Sequence, residues 1–157
     1  LLHSLVASVW DPRHIQHGTL ATVDELVLLE RSRSVLPDDA VVLGAPARGA
    51  GYVWPMTGLH GVYMSRSEPY YPSDMGSVAL LWSDFGADES TTALVCAQLE
   101  RLGVEYFLAQ EDPMAAGAEY GAATAWWDAP LIRPPLRGVE LVDSEGDATL
   151  WRITGCG

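Results

Sequence analysis

The chain has 157 residues, of which 48% are hydrophobic, and a formal net charge of -12. This length suits one domain with a full hydrophobic core, and the composition is typical of a globular protein rather than a disordered one. All nine basic residues are Arg. Because an acidic, lysine-free surface repels phosphate backbones and anionic lipid headgroups, we expect no nucleic-acid partner.

The apolar runs of the chain are short. The longest, such as residues 78–82, are far below the roughly 20 residues that span a bilayer, and the start at Leu1 has no signal-peptide pattern. We therefore expect an excised soluble piece of a longer protein, and a processed N-terminus is the other interpretation. Residues 1–21 are interpreted as an extended lead-in, and residues 22–157 as a single α/β domain.

The first helix and the first strand have clear signals. Thr22 and Glu25 have the spacing of a capping box, which predicts a helix over about 23–34. Residues 40–44 then form a short apolar run between a turn and a Gly/Pro stop. Such a run is typical of a strand that is buried on both faces of a sheet, so the core is predicted to be α/β.

A glycine-rich bend follows this strand and precedes a short helix. The helix is predicted at residues 52–57, and Gly58 is a natural stop for it. Residues 61–65 are predicted to form the second strand. Residues 67–74 are rich in Pro, Ser and Tyr and are predicted to form a loop.

The middle of the chain predicts two helices and a strand. Residues 77–85 read as one helix, and the acidic residues from Asp88 begin a second, because carboxylates favour the positive end of a helix. Gly103 ends that second helix. Residues 104–109 are predicted to form the third strand.

The last part of the chain predicts a hairpin. Residues 114–138 give no clear pattern. Residues 139–143 and 148–153 alternate between apolar and polar side chains around a turn at residues 144–147, which is typical of two antiparallel strands.

This order of elements predicts a topology. Two right-handed crossovers place the first strand between the second and the third, and the hairpin then extends the sheet beyond the third strand. The predicted fold class is therefore α/β: a small doubly wound, Rossmann-like, mainly parallel sheet that is flanked by helices and closes with a C-terminal antiparallel hairpin.

Several segments, taken in order, resemble a known family. They are the run from Leu36 to Pro46, the Met-Thr-Gly of residues 56–58, the stretch from Leu102 to Leu108, and residues 146–156. Together they resemble the C-terminal extracytoplasmic domain of large multi-spanning membrane proteins of high-GC Gram-positive bacteria, which are distantly similar to GT-C glycosyltransferases. The resemblance implies a soluble domain on the outer side of the cell membrane, attached to its own transmembrane portion. It assigns no catalytic residue and no cofactor to this sequence.

The chain has two cysteines, Cys96 and Cys156. An even pair in a secreted context favours a disulfide. Cys96 lies on the inward side of its predicted helix and Cys156 follows the last strand, so packing of that helix on the sheet brings the two within reach. A buried free thiol beside a frayed terminal one is the other interpretation.

One candidate ligand site lies where the first and third strands end, the switch point at which doubly wound sheets bind ligands. The residues near it are Arg48, Tyr52, Trp54, Glu111 and Asp112. The glycines there match neither a phosphate-binding loop nor a dinucleotide fingerprint. A polar or sugar-phosphate site and an ordinary turn are the two interpretations.

A second candidate is the pair Trp126 and Trp127, because flat aromatic rings stack on sugar faces. Packing against the transmembrane portion is the other interpretation of this pair. We predict no metal site, because no third ligand lies near His14 and His17 in the sequence.

The leading functional hypothesis is a non-catalytic accessory domain of a GT-C-like membrane protein that contacts a glycan or a lipid-linked sugar. The second is a self-contained α/β enzyme or nucleotide- or sugar-phosphate-binding domain that uses the switch point. The third is a structural interaction module of the cell envelope.

Overall fold

A computed structural model describes residues 21–45, 49–62, 78–110 and 129–157. The predicted lead-in, the loop over 67–74 and most of the stretch over 114–138 lie outside the described residues.

Helix α1 spans Val23–Ser32, and the predicted capping box is confirmed. The Glu25 backbone N–H donates to the Thr22 hydroxyl at 3.2 Å, and the Thr22 N–H donates to the Glu25 carboxylate at 2.7 Å. The helix ends two residues before the predicted end. Beyond Ser32 the backbone tightens into turns in which N–H groups bond to carbonyls three residues earlier, ahead of Pro37.

Strand β1 spans Val41–Gly44 and β2 spans His60–Val62. Between them, a 3-10 turn over Ala50–Tyr52 runs into the short helix α2, Val53–Thr57. The predicted stop at Gly58 is confirmed by its left-handed φ of 79°, a conformation that glycine adopts without strain.

The helix predicted over 77–85 is only partly α-helical. Residues 78–81 are helical, and Trp82–Asp84 then form a 3-10 turn. In a 3-10 turn the side chains at i and i+3 eclipse each other. Accordingly, the rings of Trp82 and Phe85 stack, with centroids 5.3 Å apart and planes within 8°.

Helix α3 spans Glu89–Leu102, and β3 follows at Val104–Gln110. The Asp88 side chain caps the start of α3 by accepting from the Thr91 N–H, and Gly103 ends the helix at a φ of 67°. Both predicted ends of this helix are confirmed.

The C-terminal hairpin is confirmed. Strand β4 spans Val139–Glu145 and β5 spans Ala148–Ile153, after a 3-10 turn over Ala129–Ile132. The hairpin strands pair antiparallel, and the register shifts between Leu141 and Asp143. At this irregularity β4 carries one residue more than β5. The strand runs two residues beyond its predicted end because Ser144 and Glu145 pair with Thr149 and Ala148.

The five strands form one mixed sheet in the order β2-β1-β3-β5-β4. Strand β1 pairs in parallel with β2 and β3, so its predicted central place is confirmed. The hairpin joins β3 through β5, in antiparallel orientation. The fold is therefore a mixed α/β sheet flanked by helices, with antiparallel strands at its C-terminal end.

Two apolar cores cover the two faces of the sheet. Along β1, Val42 belongs to one core and Leu43 to the other, as strand alternation requires. Helices α1 and α2 contribute Leu28, Leu29 and Val53 to the first core, whereas α3 contributes Val95 and Leu99 to the second.

Candidate functional site

The carboxyl edge of the sheet, where β1 and β3 end, carries a buried polar cluster. We call it the carboxyl-edge cluster; it consists of Thr22, Glu25, Gly49 and Gln110. Glu25 is fully buried in the first turn of α1. A buried carboxylate is costly unless polar groups surround it, and the first of these groups is the Thr22 N–H described above.

Gln110 connects the end of β3 to this cluster. It is the last residue of the strand and is 1% exposed. Its Nε2 donates to the Thr22 hydroxyl at 2.7 Å. The Thr22 hydroxyl therefore joins the first turn of α1 to a strand that lies 88 residues later in the chain.

Gly49 brings the segment after β1 against the same carboxylate. Its φ is 81°, and a Cβ built on it would lie 2.8 Å from Glu25 Oε1. A Cβ on Gly44 would likewise lie 3.1 Å from the Ala50 methyl. The backbone beyond β1 thus packs directly on the carboxylate of Glu25. A group placed there would meet closely packed backbone and the methyl group of Ala50.

Two residues of the predicted switch-point site are described. Tyr52 ends the 3-10 turn and packs partly against the first core, whereas Trp54 lies on α2 and is 59% exposed. Arg48, Glu111 and Asp112 lie outside the described residues, as do Trp126 and Trp127. Whether these seven residues bind a ligand stays a prediction.

The described residues next to that predicted site, Gly49 and Gln110, lie close to the same part of α1. Gly49 follows Arg48 in sequence, and Gln110 precedes Glu111. Both Gly49 and Gln110 lie against the first turn of α1. The described residues next to Arg48 and Glu111 therefore contact the same helix turn.

Sequence reasoning missed the central residues of this cluster. Glu25 was interpreted only as a helix cap, and Gln110 was placed just after the third strand. The available signal was a polar residue at the end of a strongly apolar strand, because such a residue needs a buried partner.

The opposite edge of the sheet carries the disulfide. The sulfurs of Cys96 and Cys156 are 2.07 Å apart and their Cα atoms 5.4 Å apart, so the predicted pairing is confirmed. The bond joins α3 to the segment just after β5. Beside it, the Gly155 N–H donates to the Gly138 carbonyl at 2.9 Å, and a Cβ on Gly155 would lie 2.9 Å from the Phe85 ring.

A shallow groove lies on each side of this disulfide, with volumes of about 460 and 580 Å³. The acidic side chains that line the two grooves are Asp88, Glu89, Glu100 and Glu105. Hydrogen bonds from the Ser90 hydroxyl and the Thr91 N–H lower the pKa of Asp88 to about 2. Asp88 is therefore ionised at neutral pH and acts as a helix cap rather than as a proton donor.

Arg31 fastens α1 to β4. Its guanidinium contacts Asp143 at 2.8 Å and Glu145 at 2.6 Å, and it donates to the Ser144 carbonyl at 2.7 Å. The hydrogen bond with Arg31 lowers the pKa of Asp143, and the two carboxylates raise the pKa of Arg31. These ionised groups are partners in a structural contact between two elements.

Within the described ranges, no three His, Cys, Asp or Glu side chains are grouped so that they could hold a metal ion. In the same part of the chain, no helix has the length and apolarity needed to cross a membrane.

Residues 3–155 match the profile of a family described as a family of unknown function, DUF6541, so the chain belongs to that family. No curated protein matches the chain. Among solved structures, it is similar to the C-terminal globular domain of an oligosaccharyltransferase from Archaeoglobus fulgidus. The identity is 12% and the TM-score 0.44, over 82% of this chain and 93% of that one.

Proposed function

We propose that this member of the DUF6541 family is a non-catalytic accessory domain on the extracytoplasmic side of a membrane protein that resembles GT-C glycosyltransferases. In this role it helps to position a glycan or lipid-linked acceptor near the membrane-embedded site. Its direct partner is its own transmembrane portion. The finer fold proposal is a doubly wound, Rossmann-like sheet, supported by helices on opposite faces and by β1 between two parallel neighbours.

The disulfide between Cys96 and Cys156 is the observation that carries this proposal. Structural disulfides form and persist in oxidising compartments and are rare where thiol reductants act. Here the bond uses both cysteines of the chain. Its place at the surface, beside two open grooves, exposes it to the redox conditions of its compartment. These features favour the outer side of the membrane over the cytoplasm.

Four of the described carboxylates have structural partners, which supports a non-catalytic role. Asp88 caps α3, Asp143 and Glu145 hold Arg31, and Glu25 is enclosed by the carboxyl-edge cluster. General acid and base catalysis requires a carboxylate that can reach a substrate proton. Each of these four groups instead binds a neighbouring element of the fold.

The close packing at Gly49 weighs against the nucleotide or sugar-phosphate alternative. Phosphate-binding turns present free backbone N–H groups and positive potential to the anion. Here the corresponding backbone packs on the carboxylate of Glu25. We expect no thermal shift of this chain with millimolar nucleotides or sugar phosphates, and a shift of several degrees would favour the alternative.

The location is tested on the natural full-length protein in its own cells. Cells are quenched in acid and labelled with a maleimide polymer before and after reduction, and the Cys96→Ser, Cys156→Ser double variant is the control. We expect wild type to gain two more labels on reduction than the variant does. Protease added to intact spheroplasts should also digest the domain, as followed with an antibody to residues 22–157.

Two results would contradict the proposal. One is an equal gain of labels on reduction for wild type and the double variant, with both thiols of wild type already labelled before reduction. The other is a domain that resists protease in intact spheroplasts and is digested only after lysis, which would place it in the cytoplasm.

A further inference from the structure

We propose that the exposed indole of Trp54 is a stacking platform for one face of a neutral sugar ring, at the carboxyl edge of the sheet. This inference rests on the proposed function, because it names the class of ligand that the accessory domain contacts. The class is an uncharged glycan unit rather than a phosphorylated sugar.

The exposure of Trp54 contrasts with the burial of its neighbours. The indole is 59% exposed, whereas Val53 is fully buried and Thr57 nearly so. Tryptophan brings a large apolar area to a folded core, so a fold normally gains by burying it. In α2 the sequence instead buries the smaller side chains and leaves the largest ring in water.

The backbone that carries Trp54 is held firmly. The Gly58 N–H donates to the Trp54 carbonyl at 2.8 Å, and the Thr57 hydroxyl accepts from the Leu59 N–H at 3.0 Å. The buried side chain of Val53 fixes the start of the helix in the first core. A ring on an ordered backbone loses less freedom on binding than one on a loose loop.

The acidic charge of the chain selects against an anionic ligand. The chain as a whole carries a net charge of -12 and no Lys. A phosphate approaching the platform is repelled by this net charge, whereas the C–H face of a sugar carries no charge and fits a flat apolar ring.

Exposure of a large apolar side chain alone does not distinguish Trp54. Leu94 on α3 is 61% exposed and lies on the opposite side of the sheet. Leucine has no flat face, so it cannot stack on a sugar ring. Leu94 is therefore a matched control with the same exposure and different chemistry.

The test uses the 157-residue chain and records the indole N–H signals of its six Trp residues by NMR. The probes are linear mannotriose, linear glucose trimers and glucose 1-phosphate, each titrated to tens of millimolar. We expect a neutral trimer to shift one indole signal in a saturable way, and this signal to be the one missing in Trp54→Ala. Glucose 1-phosphate should bind more weakly than the neutral trimers.

The variants separate stacking from a structural effect. Trp54→Ala should weaken the apparent affinity about tenfold or more, which corresponds to roughly 1.4 kcal/mol, while Leu94→Ala should leave it unchanged. Trp54→Tyr keeps a flat ring and should retain most of the binding. It also serves as the folded test protein if Trp54→Ala is unstable.

The inference is overturned if neither neutral trimer shifts the Trp54 signal. It is equally overturned if Trp54→Ala and Leu94→Ala bind alike, or if the phosphorylated sugar binds best. A Trp54 signal that responds only to the transmembrane portion of the full-length protein would make the ring a protein contact instead. These outcomes are independent of the protease and labelling tests, so an outer location remains supported if the platform fails.

Discussion

The two edges of the sheet are fastened by different kinds of contact, hydrogen bonds at one edge and a covalent bond at the other. At the carboxyl edge, Thr22, Glu25 and Gln110 join α1 to β3 through partly buried hydrogen bonds. At the amino edge, Cys96 and Cys156 join α3 to the segment after β5 through one covalent bond near the surface. Each fastening links segments that lie far apart in the sequence.

The comparison shows how differently the two fastenings depend on their surroundings. A buried polar cluster is stable only while every member has its partner, because each group left unpaired pays its full desolvation penalty. A disulfide acts largely by restricting the unfolded chain, so its effect depends on the length of the loop that it closes. Removal of a single hydrogen-bonding atom should therefore weaken the first fastening. The second should be weakened by reduction alone.

Reduction of the disulfide is expected to have the largest effect. The bond closes a loop with a sequence separation of 60 residues. The chain-entropy relation assigns such a loop about 4 kcal/mol of stability. Urea unfolding with and without dithiothreitol measures this difference, and the Cys96→Ser, Cys156→Ser double variant should show no response to the reductant. A wild-type protein equally stable in both conditions would contradict this expectation.

The next effect is expected at Gly49 and Glu25. Glu25→Ala should cost about 2–3 kcal/mol, because it removes the acceptor of the buried Thr22 N–H. Gly49→Ala should cost about 2 kcal/mol, because it combines a left-handed φ of 81° with a Cβ 2.8 Å from Glu25 Oε1.

The Glu25→Ala, Gly49→Ala double variant tests whether these two residues are in contact. Without the Glu25 carboxylate the new Cβ has room, so the two costs should sum to more than the cost of the double variant. Gly58→Ala is the control, since Gly58 has a similar φ but no atom within 4 Å of a built Cβ. Strict additivity in urea unfolding would argue that Gly49 does not pack on the carboxylate.

A smaller effect is expected at Thr22. Thr22→Ala removes a helix cap and the acceptor of Gln110 Nε2, and should cost about 1–2 kcal/mol. Thr22→Ser keeps the hydroxyl and should lose only a fraction of this amount. Thermal unfolding of the two variants compares them directly, and equal losses would show that the methyl group matters rather than the hydroxyl.

The smallest effect is expected for the contact between Arg31 and Asp143, whose contribution to stability depends on pH. Because the pKa of Asp143 is lowered in the folded protein, its contribution is present above the ordinary Asp pKa of about 3.9. It is lost as the pH falls from there through the folded pKa. Asp143→Asn should therefore flatten the loss of stability below pH 4. Parallel curves for wild type and Asp143→Asn would contradict this.

The sequence predicted those parts of the fold that depend on local physics. The capping box at Thr22, the cap at Asp88 and the stops at Gly58 and Gly103 each depend on a few adjacent residues, and all are confirmed. The central place of β1 followed from the order of strands and helices, because crossover rules leave few arrangements for such a chain.

Long-range convergence was harder to predict. Gly49 packs on Glu25 and Gln110 bonds to Thr22, and both contacts join segments that lie far apart in the sequence. The tightening of residues 82–84 into a 3-10 turn accompanies stacking of Trp82 on Phe85, a packing effect that helix propensity does not contain. The disulfide was predictable because helical periodicity already placed Cys96 on the inward face of its helix.

The insertion of β5 between β3 and β4 has a consequence for biosynthesis. Until residues 148–153 leave the ribosome, the free side of β3 offers unsatisfied backbone groups to any extended segment nearby. When the hairpin forms, β5 pairs with β3 and satisfies these groups, and Cys156 follows just afterwards in the chain. Because Cys156 follows β5 in the chain, the bond with Cys96 forms only after the whole of β5 has been synthesised.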